Sequence, residues 1–479
     1  MVVRRSEWKL VPIEEVYSGL YDGPHATPEP ASEGPIFLGI KNITEDGKLD
    51  LSEIRHIAEE DFSNWTKRVL PLPGDIVFTY EATLNRYAMI PEGFRGCLGR
   101  RLALIRPNFK RIDTKFLFYY FFGEEWRETI ANNIMSGSTV DRIPIISFPK
   151  FKVRVPPLPI QRTIASILSA YDDLIENNTR RIAILEEMAQ MIYEEWFVKF
   201  RFPGHERVKM VESEMGMIPE RWQVTTVENI ATICRGKSYA SENLVQTEEG
   251  LPFINLKCIV RDGGFREDGL KRYKGAYKET QTAKTGDIVM AVTDMTQERR
   301  IVARAARVPK NNTLTFVFSM DLVKIVPKEE QYRYYLYSMF RFSKFPDEVK
   351  QYANGANVLH LSPERIGEFA FPLPPVSLCI RFSEICAVIY EQCDLIRSRC
   401  SLLSITRDLL LPKLISGEID VSSWSEDSAE EAAQELATSV IGSVGERQQH
   451  GGIARKVAEA GPIEPMEKDA LEWHSLWEE

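Results

Sequence analysis

One stretch, residues 156–203, constrains the fold of this chain more than any other. It opens with a Pro-Pro pair and then runs for roughly forty residues without Gly or Pro. Apolar residues recur with alternating gaps of four and three, the seam pattern of a coiled coil. At 1.5 Å per residue the predicted helix is about 60 Å long, which suits a spacer or a docking surface. Its two seam lines are Ile164, Tyr171, Asn178, Leu185 and Ile192, and Leu168, Ile175, Ile182, Ala189 and Trp196.

A second stretch, residues 374–420, repeats this pattern after another Pro-Pro pair. Pro412 predicts an end near Leu411, and Gly417 is a suitable stop. We expect the two helices to pack as an antiparallel coiled coil. Asn178 either fixes the helix register at a cost in stability or lies at a turn that has no partner. The second seam consists of Cys379, Cys386, Cys393 and Cys400 on one line and Phe382, Ile389, Ile396, Leu403 and Leu410 on the other.

Charge and cysteine usage set the broad class. The net charge is −9, and the segment from Val421 to the end, with 13 acidic and 4 basic residues, carries all of it. The rest of the chain is balanced, so only local runs can argue for nucleic acid. Seven cysteines without a nearby His cluster predict reduced core thiols rather than a metal site. No signal peptide or apolar run of 18 residues is found, which predicts a cytoplasmic protein.

Two globular units are predicted around the long helices, and the second repeats the first. Short apolar runs at 36–40, 75–79 and 102–105 predict strands, residues 116–124 a short aromatic helix, and residues 145–155 a further strand. Landmarks recur in order, for example Gly74-Asp75-Ile76 and Gly286-Asp287-Ile288. This order predicts an internal duplication. The predicted organisation is 1–155 first unit, 156–203 helix, 204–217 linker, 218–373 second unit, 374–420 helix and 421–479 acidic, disordered tail.

Motifs for catalysis are missing from the sequence. Arg235-Gly-Lys-Ser238 resembles the end of a phosphate-binding loop, but its first glycine is absent. Basic runs are more promising, because Arg and Lys contact phosphates and Arg, Asn and Gln read base edges. For any single run a solvated charged face is an equally good interpretation. The runs are Arg95, Arg100, Arg101, Arg106, Lys110 and Arg111; Arg299, Arg300, Arg304, Arg307 and Lys310; and Lys271, Arg272, Lys274 and Lys278.

These residues, in this order, resemble the specificity (S) subunit of type I restriction-modification systems. The resemblance rests on the Pro-Pro-Leu-Pro-Ile-Gln entry at 156–161, Asp-Asp-Leu-Ile-Glu-Asn-Asn at 172–178 and Glu-Glu-Trp-Phe-Val-Lys-Phe at 194–200. Leu-Pro-Lys-Leu-Ile-Ser-Gly-Glu-Ile at 411–419 ends the second copy, and the similarity covers about residues 6–420. Cys379 stands where the first copy has Gln161, and the acidic tail lies outside the family pattern.

The resemblance implies a mixed α/β (α+β) fold: two duplicated target-recognition domains separated by two long helices that pack as an antiparallel coiled coil. Each domain then reads one half of a bipartite double-stranded DNA target. The helices set the spacing and dock two methylation (M) subunits, to which restriction (R) subunits are added. The chain itself is expected to be non-catalytic and free of cofactors. S-adenosylmethionine, ATP and Mg²⁺ belong to the partner subunits of the complex, which acts in DNA methylation and host defence.

The family has no fixed base-contacting motif, so DNA contacts are predicted from loop placement. The alternative to DNA reading is a scaffold whose two modules bind protein partners. The predicted DNA contacts are Thr79, Tyr80, Thr83, Asn85, Arg86, Ser138 and Thr139 in the first domain, and Thr293, Asp294, Arg299, Arg300, Asn357 and His360 in the second. The predicted seam and docking residues are Ile164, Leu168, Tyr171, Ile175, Asn178, Ile182 and Leu185 on the first helix, and Phe382, Cys386, Ile389, Cys393 and Ile396 on the second.

Overall fold

The computed structural model describes residues 8–136, 140–245, 249–310 and 315–425, together with Ser428, Glu431 and Ala433. The chain forms two compact units. Unit 1 contains Met1–Glu176 and Ser401–Glu479, and unit 2 contains Asn177–Cys400. Each unit combines helices with sheets, so the predicted mixed fold class is confirmed. The domain boundaries given above stay a prediction, because the division into units cuts through both long helices.

Unit 1 is built on a four-stranded antiparallel sheet of order β2-β8-β5-β6 and a three-stranded sheet of order β4-β3-β7, in which β3 and β7 are parallel. The β1 strand pairs with β11, and β9 with β10. The strands are β1 (Lys9–Pro12), β2 (Tyr17–Asp22), β3 (Ala31–Leu38), β4 (Arg55–His56), β5 (Ile76–Thr79), β6 (Tyr87–Met89), β7 (Gly96–Leu98), β8 (Leu102–Pro107), β9 (Met135–Ser136), β10 (Asp141–Arg142) and β11 (Lys152–Val155). The helices that begin in this unit are α1 (Phe62–Trp65), α2 (Thr114–Tyr120), α3 (Glu124–Ala131) and α4 (Leu158–Tyr193).

Unit 2 repeats this plan with a four-stranded sheet of order β15-β24-β20-β22 and a five-stranded sheet of order β16-β18-β17-β23-β19. The strands are β12 (Met210–Ser213), β13 (Gly216–Pro219), β14 (Gln223–Thr226), β15 (Ala231–Arg235), β16 (Leu244–Val245), β17 (Leu251–Ile254), β18 (Lys271–Tyr273), β19 (Thr282–Ala283), β20 (Ile288–Ala291), β21 (Thr293–Asp294), β22 (Ala305–Arg307), β23 (Phe316–Phe318), β24 (Leu322–Pro327), β25 (Leu359–His360) and β26 (Ala370–Leu373). The helices are α5 (Val227–Ile230), α6 (Arg333–Phe342), α7 (Phe345–Val349), α8 (Pro363–Gly367) and α9 (Val376–Ile415).

The predicted duplication is confirmed by topology. The order β2-β8-β5-β6 in unit 1 matches β15-β24-β20-β22 in unit 2, strand for strand. A single parallel pair adjoins each sheet, β3 with β7 and β17 with β23. The first strand of each unit pairs with the strand that leads into a long helix, β1 with β11 and β14 with β26. Corresponding positions of the two units can therefore be compared directly.

The two predicted long helices are present as α4 and α9. Most predicted seam residues are buried: Ile164, Leu168, Tyr171, Ile175, Phe382, Cys386, Ile389, Cys393 and Ile396; Asn178, Ile182 and Leu185 are half-buried. Within unit 2 the helices run antiparallel, because the Trp196 and Phe382 rings lie 6.1 Å apart while Glu186 pairs with Arg397 further along. Burial raises the pKa of the Cys379 thiol to about 12 and that of Cys393 to about 11, so the stripe behaves as core.

Three sequence predictions need correction. The α9 helix continues through Pro412 to Ile415, because the next turn buries Leu414 and Ile415 in the core of unit 1. Residues 145–155 are not one strand: the segment turns at Pro144 and forms a short 3-10 helix, and only Lys152–Val155 pairs with β1. The aromatic helix is Thr114–Tyr120 rather than 116–124.

The linker and the tail contain more structure than their composition suggests. Residues 204–217 include β12 and part of β13, which form a hairpin. In unit 1, Val421 and Ala433 are buried in the core, and the Tyr171 hydroxyl donates to the Ala433 carbonyl at 2.5 Å. The remainder of the tail, for which disorder is predicted, lies outside the described residues.

Candidate nucleic-acid interface

In unit 1, four separate segments meet at the end of the four-stranded sheet. The backbone of Gly23 donates to Leu102 at 2.9 Å, and that of Tyr80 donates to Arg101 at 3.2 Å. Ile143 in turn donates to Tyr80 at 2.7 Å. We call residues 22–25, 80–82, 99–102 and 141–143 the unit 1 junction. It brings together the loop after the Gly-Asp-Ile strand and the polar segment before α4, two regions predicted separately as DNA-facing.

Unit 2 contains the same junction, formed by residues 235–238, 292–294, 319–322 and 359–361. Gly236 donates to Leu322 at 3.3 Å, Val292 to Asp321 at 2.9 Å, and Leu361 to Val292 at 2.8 Å. These bonds reproduce the three unit 1 bonds position by position. The β21 strand also pairs with β25, so Thr293 lies opposite His360. The unit 2 loop and the polar segment before α9 are therefore also neighbours.

The loop that leaves each junction has a strained backbone. Ala82 and Asn85 have φ of 70° and 60°, and Arg299 and Ala303 have φ of 53° and 65°. Non-glycine residues adopt this left-handed region rarely, and each costs of order 1–3 kcal/mol unless the surroundings hold it in place. Such strain gathers at binding and catalytic sites. Its occurrence in both loops indicates two rigid, shaped surfaces.

Asp294 holds the unit 2 loop in place. Its carboxylate accepts hydrogen bonds from the backbone of Thr296 and Ile301, both at 2.9 Å, and from the Thr296 hydroxyl. Burial raises the pKa of Asp294, but these hydrogen bonds outweigh that effect and leave the pKa below its usual value. The side chain is 2% exposed. Asp294 therefore positions the loop and is not accessible from solvent in this conformation.

The predicted DNA-contacting residues fall into three groups by exposure. Those that are buried are Thr79, Tyr80, Thr293 and Asp294; those that are half-buried are Thr83, Asn85, Arg86 and Arg299; those that are exposed are Arg300, Asn357 and His360. Ser138 and Thr139 lie outside the described residues. Burial raises the pKa of Tyr80 to about 12, with a smaller contribution from Asp22 and Glu81. The DNA role of all thirteen residues stays a prediction, and the exposed members can reach a ligand without rearrangement.

The arginines of the basic runs fall into two groups, those held in ion pairs with acidic side chains and those exposed to solvent, and the sequence does not show which is which. Arg106 donates two hydrogen bonds to the buried Asp75, which raises the pKa of its guanidinium. Arg307 is buried against Asp394, with Nη2 2.6 Å from Oδ2. Arg100, in contrast, is exposed at the unit 1 junction, as is Arg142, which lies outside the basic runs. The charge pattern predicted a basic face, but only the fold separates structural arginines from those that face solvent.

Arg100 and Met320 also lie at the junctions, although they were not among the predicted DNA contacts. Each is the exposed tip of the turn that joins a strand of the parallel pair to the next strand, which lies in the four-stranded sheet: β7 to β8 in unit 1 and β23 to β24 in unit 2. In the sequence, Arg100 belongs to a basic run and has no other distinguishing pattern, and no motif or charge pattern marks Met320. Comparing the sequence on either side of the two turns, Leu98-Gly-Arg-Arg-Leu102 and Phe318-Ser-Met-Asp-Leu322, would have aligned them.

Across residues 8–136, 140–245, 249–310 and 315–425, no three His, Cys, Asp or Glu side chains gather as a metal site. In those ranges no helix has the length and the apolar character needed to cross a membrane.

Comparisons with known proteins agree with the sequence resemblance. Residues 33–187 match the family model described as type I restriction modification DNA specificity domain. The chain is 24% identical over 377 residues to the type I restriction enzyme MjaIX specificity subunit of Methanocaldococcus jannaschii, which covers 77% of this chain and 82% of that protein. It is 22% identical to the HindI specificity subunit of Haemophilus influenzae, over 72% of this chain and 86% of the relative.

A solved structure of a type I restriction-modification S subunit from M. genitalium aligns with 85% of this chain and 96% of its own, with 16% identity and a TM-score of 0.49. The family match is confined to residues 33–187, and the relatives are similar over most of the chain. The chain is therefore similar to the specificity subunits of type I restriction-modification systems.

Proposed function

We propose that this chain selects the DNA target of a type I restriction-modification complex, with each unit reading one half of a bipartite site. The observation that carries the proposal is the junction, which is built twice on the same backbone hydrogen bonds. A single ligand site would require only one copy. Two rigid loop surfaces in one chain suit a target with two separate half-sites.

The chemistry exposed at the two junctions supports a duplex as the ligand. Arg100 and Arg142 are exposed in unit 1, and His360 in unit 2. Arginines contact phosphates and form bidentate bonds to guanine, and imidazoles and amides can hydrogen-bond to base edges. Because the overall charge outside the tail is balanced, such local groups, rather than net charge, would provide the attraction.

The long helices support a second part of the proposal, the docking of methylation subunits. In unit 2, Ile184 and Met191 are more than half exposed and lie seven residues apart on α4. Residues at this spacing form one stripe. On α9, Val388 and Leu395 are exposed at the same spacing. Exposed apolar stripes of this kind mark protein interfaces, and we assign them to the M subunits.

In this proposal the partner subunits carry out catalysis and bind the cofactors. The chain by itself is non-catalytic; S-adenosylmethionine is bound by the M subunits, and ATP and Mg²⁺ by the R subunits. The helices set the spacing between half-sites. This part of the proposal is supported by α4 and α9, each of which contains residues of both units without a break.

Long-read mapping of methylated bases tests the whole proposal. Cells that express this chain with its methylation partner are compared with cells that lack this chain alone. The proposal expects a split motif that disappears with the chain. Methylation that is unchanged when the chain is removed, together with DNA binding by the purified complex that is insensitive to salt, would favour the protein-scaffold alternative.

Removing one heptad from each long helix tests the spacing role. The pair of deletions keeps the seam pattern and shortens each helix by about 10 Å. At 3.4 Å per base pair this should shorten the spacer by roughly three base pairs and leave both half-sites unchanged. As a control, four alanine substitutions at exposed helix positions should leave the spacer length unchanged. An unaltered spacer in a complex that still methylates DNA would contradict the spacing role.

A further inference from the structure

The turns at Arg100 and Met320 occupy the same position in the two units. In unit 1 the backbone of Leu102 donates to Gly99 at 3.1 Å, which closes the turn, and Gly99 donates to Leu38 at 2.8 Å. In unit 2, Leu322 donates to Ser319 at 3.0 Å. Ser319 also donates to Ile254 at 2.9 Å. Both turns are therefore anchored to the parallel strand pair of their unit in the same way.

Each turn also forms a hydrogen bond with another segment of its junction, so the direction of the tip is fixed before a ligand binds. The Tyr80 hydroxyl donates to the Arg100 carbonyl at 2.9 Å. The backbone of Met320 donates to the Lys237 carbonyl at 2.8 Å. A binding group held in this way loses little conformational entropy when it contacts a ligand. The backbone at the two tips is rigid, and only the side chains differ.

The two tip side chains differ in polarity: Arg100 is charged and Met320 is apolar. Arg100 is exposed, and it forms no ion pair or side-chain hydrogen bond with another residue in the described ranges. Met320 is 53% exposed, so its apolar side chain is accessible to a ligand. A guanidinium with five free donors matches the O6 and N7 acceptors of guanine in the major groove. An exposed apolar tip matches the 5-methyl group of thymine.

We propose that these turn tips are base-reading positions: Arg100 selects a guanine in the half-site of unit 1, and Met320 selects a thymine in the half-site of unit 2. This inference rests on the proposed function, since it assumes that each unit reads one half-site. It adds which residue of each unit discriminates and which base it selects.

Methylation mapping in cells that carry the chain with its methylation partner provides the first test. Arg100→Met should make one guanine position of one half-site degenerate and leave the other half-site intact. Met320→Arg should replace or relax one thymine position in the opposite half-site. Arg111→Met is the matched control, because Arg111 is also exposed but follows the far end of β8, roughly 20 Å away along a six-residue strand. It should leave the motif unchanged.

Modified bases test the contact at the level of atoms. With the assembled complex and a duplex carrying the mapped site, 7-deazaguanine at the Arg100-dependent position removes N7 and should weaken binding by the unsubstituted complex roughly 5- to 150-fold. Uracil at the Met320-dependent position removes one methyl group and should weaken binding roughly fourfold. In the Arg100→Met and Met320→Arg complexes the respective base change should have no further effect. Arg100→Lys, which keeps the charge but lacks the fork, should retain overall binding and lose the discrimination.

The two proposals fail in different ways. A split motif that depends on the chain but stays the same in both tip variants overturns the tip assignment and leaves the reading of half-sites by the two units in place. A change in the same half-site for both variants also overturns it. A motif that does not depend on the chain at all overturns the function itself.

Discussion

Replacing Asp394 by asparagine should destabilise unit 2 by about 3–5 kcal/mol, because it leaves a buried guanidinium without its counter-charge. Arg307 lies on β22 and Asp394 on α9; the side chains are 7% and 5% exposed, with Nη2 2.6 Å from Oδ2. Two unit charges about 4 Å apart attract by about 4 kcal/mol at an effective dielectric constant near 20. The other hydrogen-bond partners of Arg307, the Tyr390 carbonyl at 3.2 Å and the Val308 carbonyl at 3.5 Å, are neutral and cannot replace that attraction.

An exposed ion pair of the same length in the same unit provides the control. Arg266 Nη2 lies 2.6 Å from Asp268 Oδ2, but the side chains are 55% and 68% exposed. Asp268→Asn should therefore cost no more than about 1 kcal/mol. Replacing the buried pair together, as Arg307→Met with Asp394→Leu, should be close to neutral, since it removes both the charge and its need for a partner.

Hydrogen exchange followed by mass spectrometry measures these changes unit by unit in the full chain, for which a single two-state unfolding free energy is not defined. Peptides from α6 should lose protection in Asp394→Asn, and peptides from α2 in unit 1 should not. Equal, small losses in Asp394→Asn and Asp268→Asn would refute the reasoning, because burial is the property that distinguishes the two pairs. So would a double replacement as harmful as the single one.

Three further outcomes are expected. Burial raises the pKa of Glu186, but Arg341 and Arg397 outweigh it and hold the pKa below its ordinary 4.5. This carboxylate therefore stabilises unit 2 above pH 4.5 and less as the pH falls through its folded-state pKa, so the loss of protection of unit 2 peptides in Glu186→Gln should shrink between pH 6 and pH 3, in hydrogen exchange corrected for the intrinsic rate at each pH. Deleting residues 421–479 should lower the protection of unit 1 from exchange by about 2–5 kcal/mol relative to deleting residues 434–479. Only the longer deletion removes the buried Val421 and Ala433 and the hydrogen bond from the Tyr171 hydroxyl. In native alkylation followed by peptide mapping, Cys234 and Cys400 should react first, since the other five thiols are buried; prompt labelling of the buried stripe would contradict its placement in the core.

The sequence predicted the long helices well because their signal is periodic and extends over many turns. It predicted the duplication because landmarks recur in order. It failed at 145–155, where apolar residues resemble a strand but Pro144 and Pro149 introduce turns. It also ended α9 at Pro412, since the burial of Leu414 and Ile415 that extends the helix depends on residues far away in the chain. Local rules predict elements, and tertiary burial decides where they end.

The binding surface was less predictable, for the same physical reason. Loop placement predicted DNA contacts near 79–86, near 293–300 and on the polar segments before the helices, and their DNA role stays a prediction; the junctions place Tyr80 beside Ile143 and Thr293 opposite His360. It could not tell Asp294, which is buried and holds a loop, from Arg300, which is exposed. Both are polar residues after a strand, and the difference lies in which hydrogen-bond donors the fold places around each side chain.

The duplication itself provides the information that one sequence otherwise lacks. Positions that the junction geometry requires are equivalent in the two units: a Cβ at Gly23 would overlap the Gly99 carbonyl, and a Cβ at Gly236 would overlap the Ser319 carbonyl. Equivalent backbone hydrogen bonds close the two turns and tie them to the parallel strand pair, yet one tip is arginine and the other methionine. Since the backbone does not demand either residue, each tip is free to match what its own unit contacts. Two units that read different half-sites require this combination of a fixed backbone and different tips, whereas a symmetric scaffold binding two copies of one partner would need the same side chain at both.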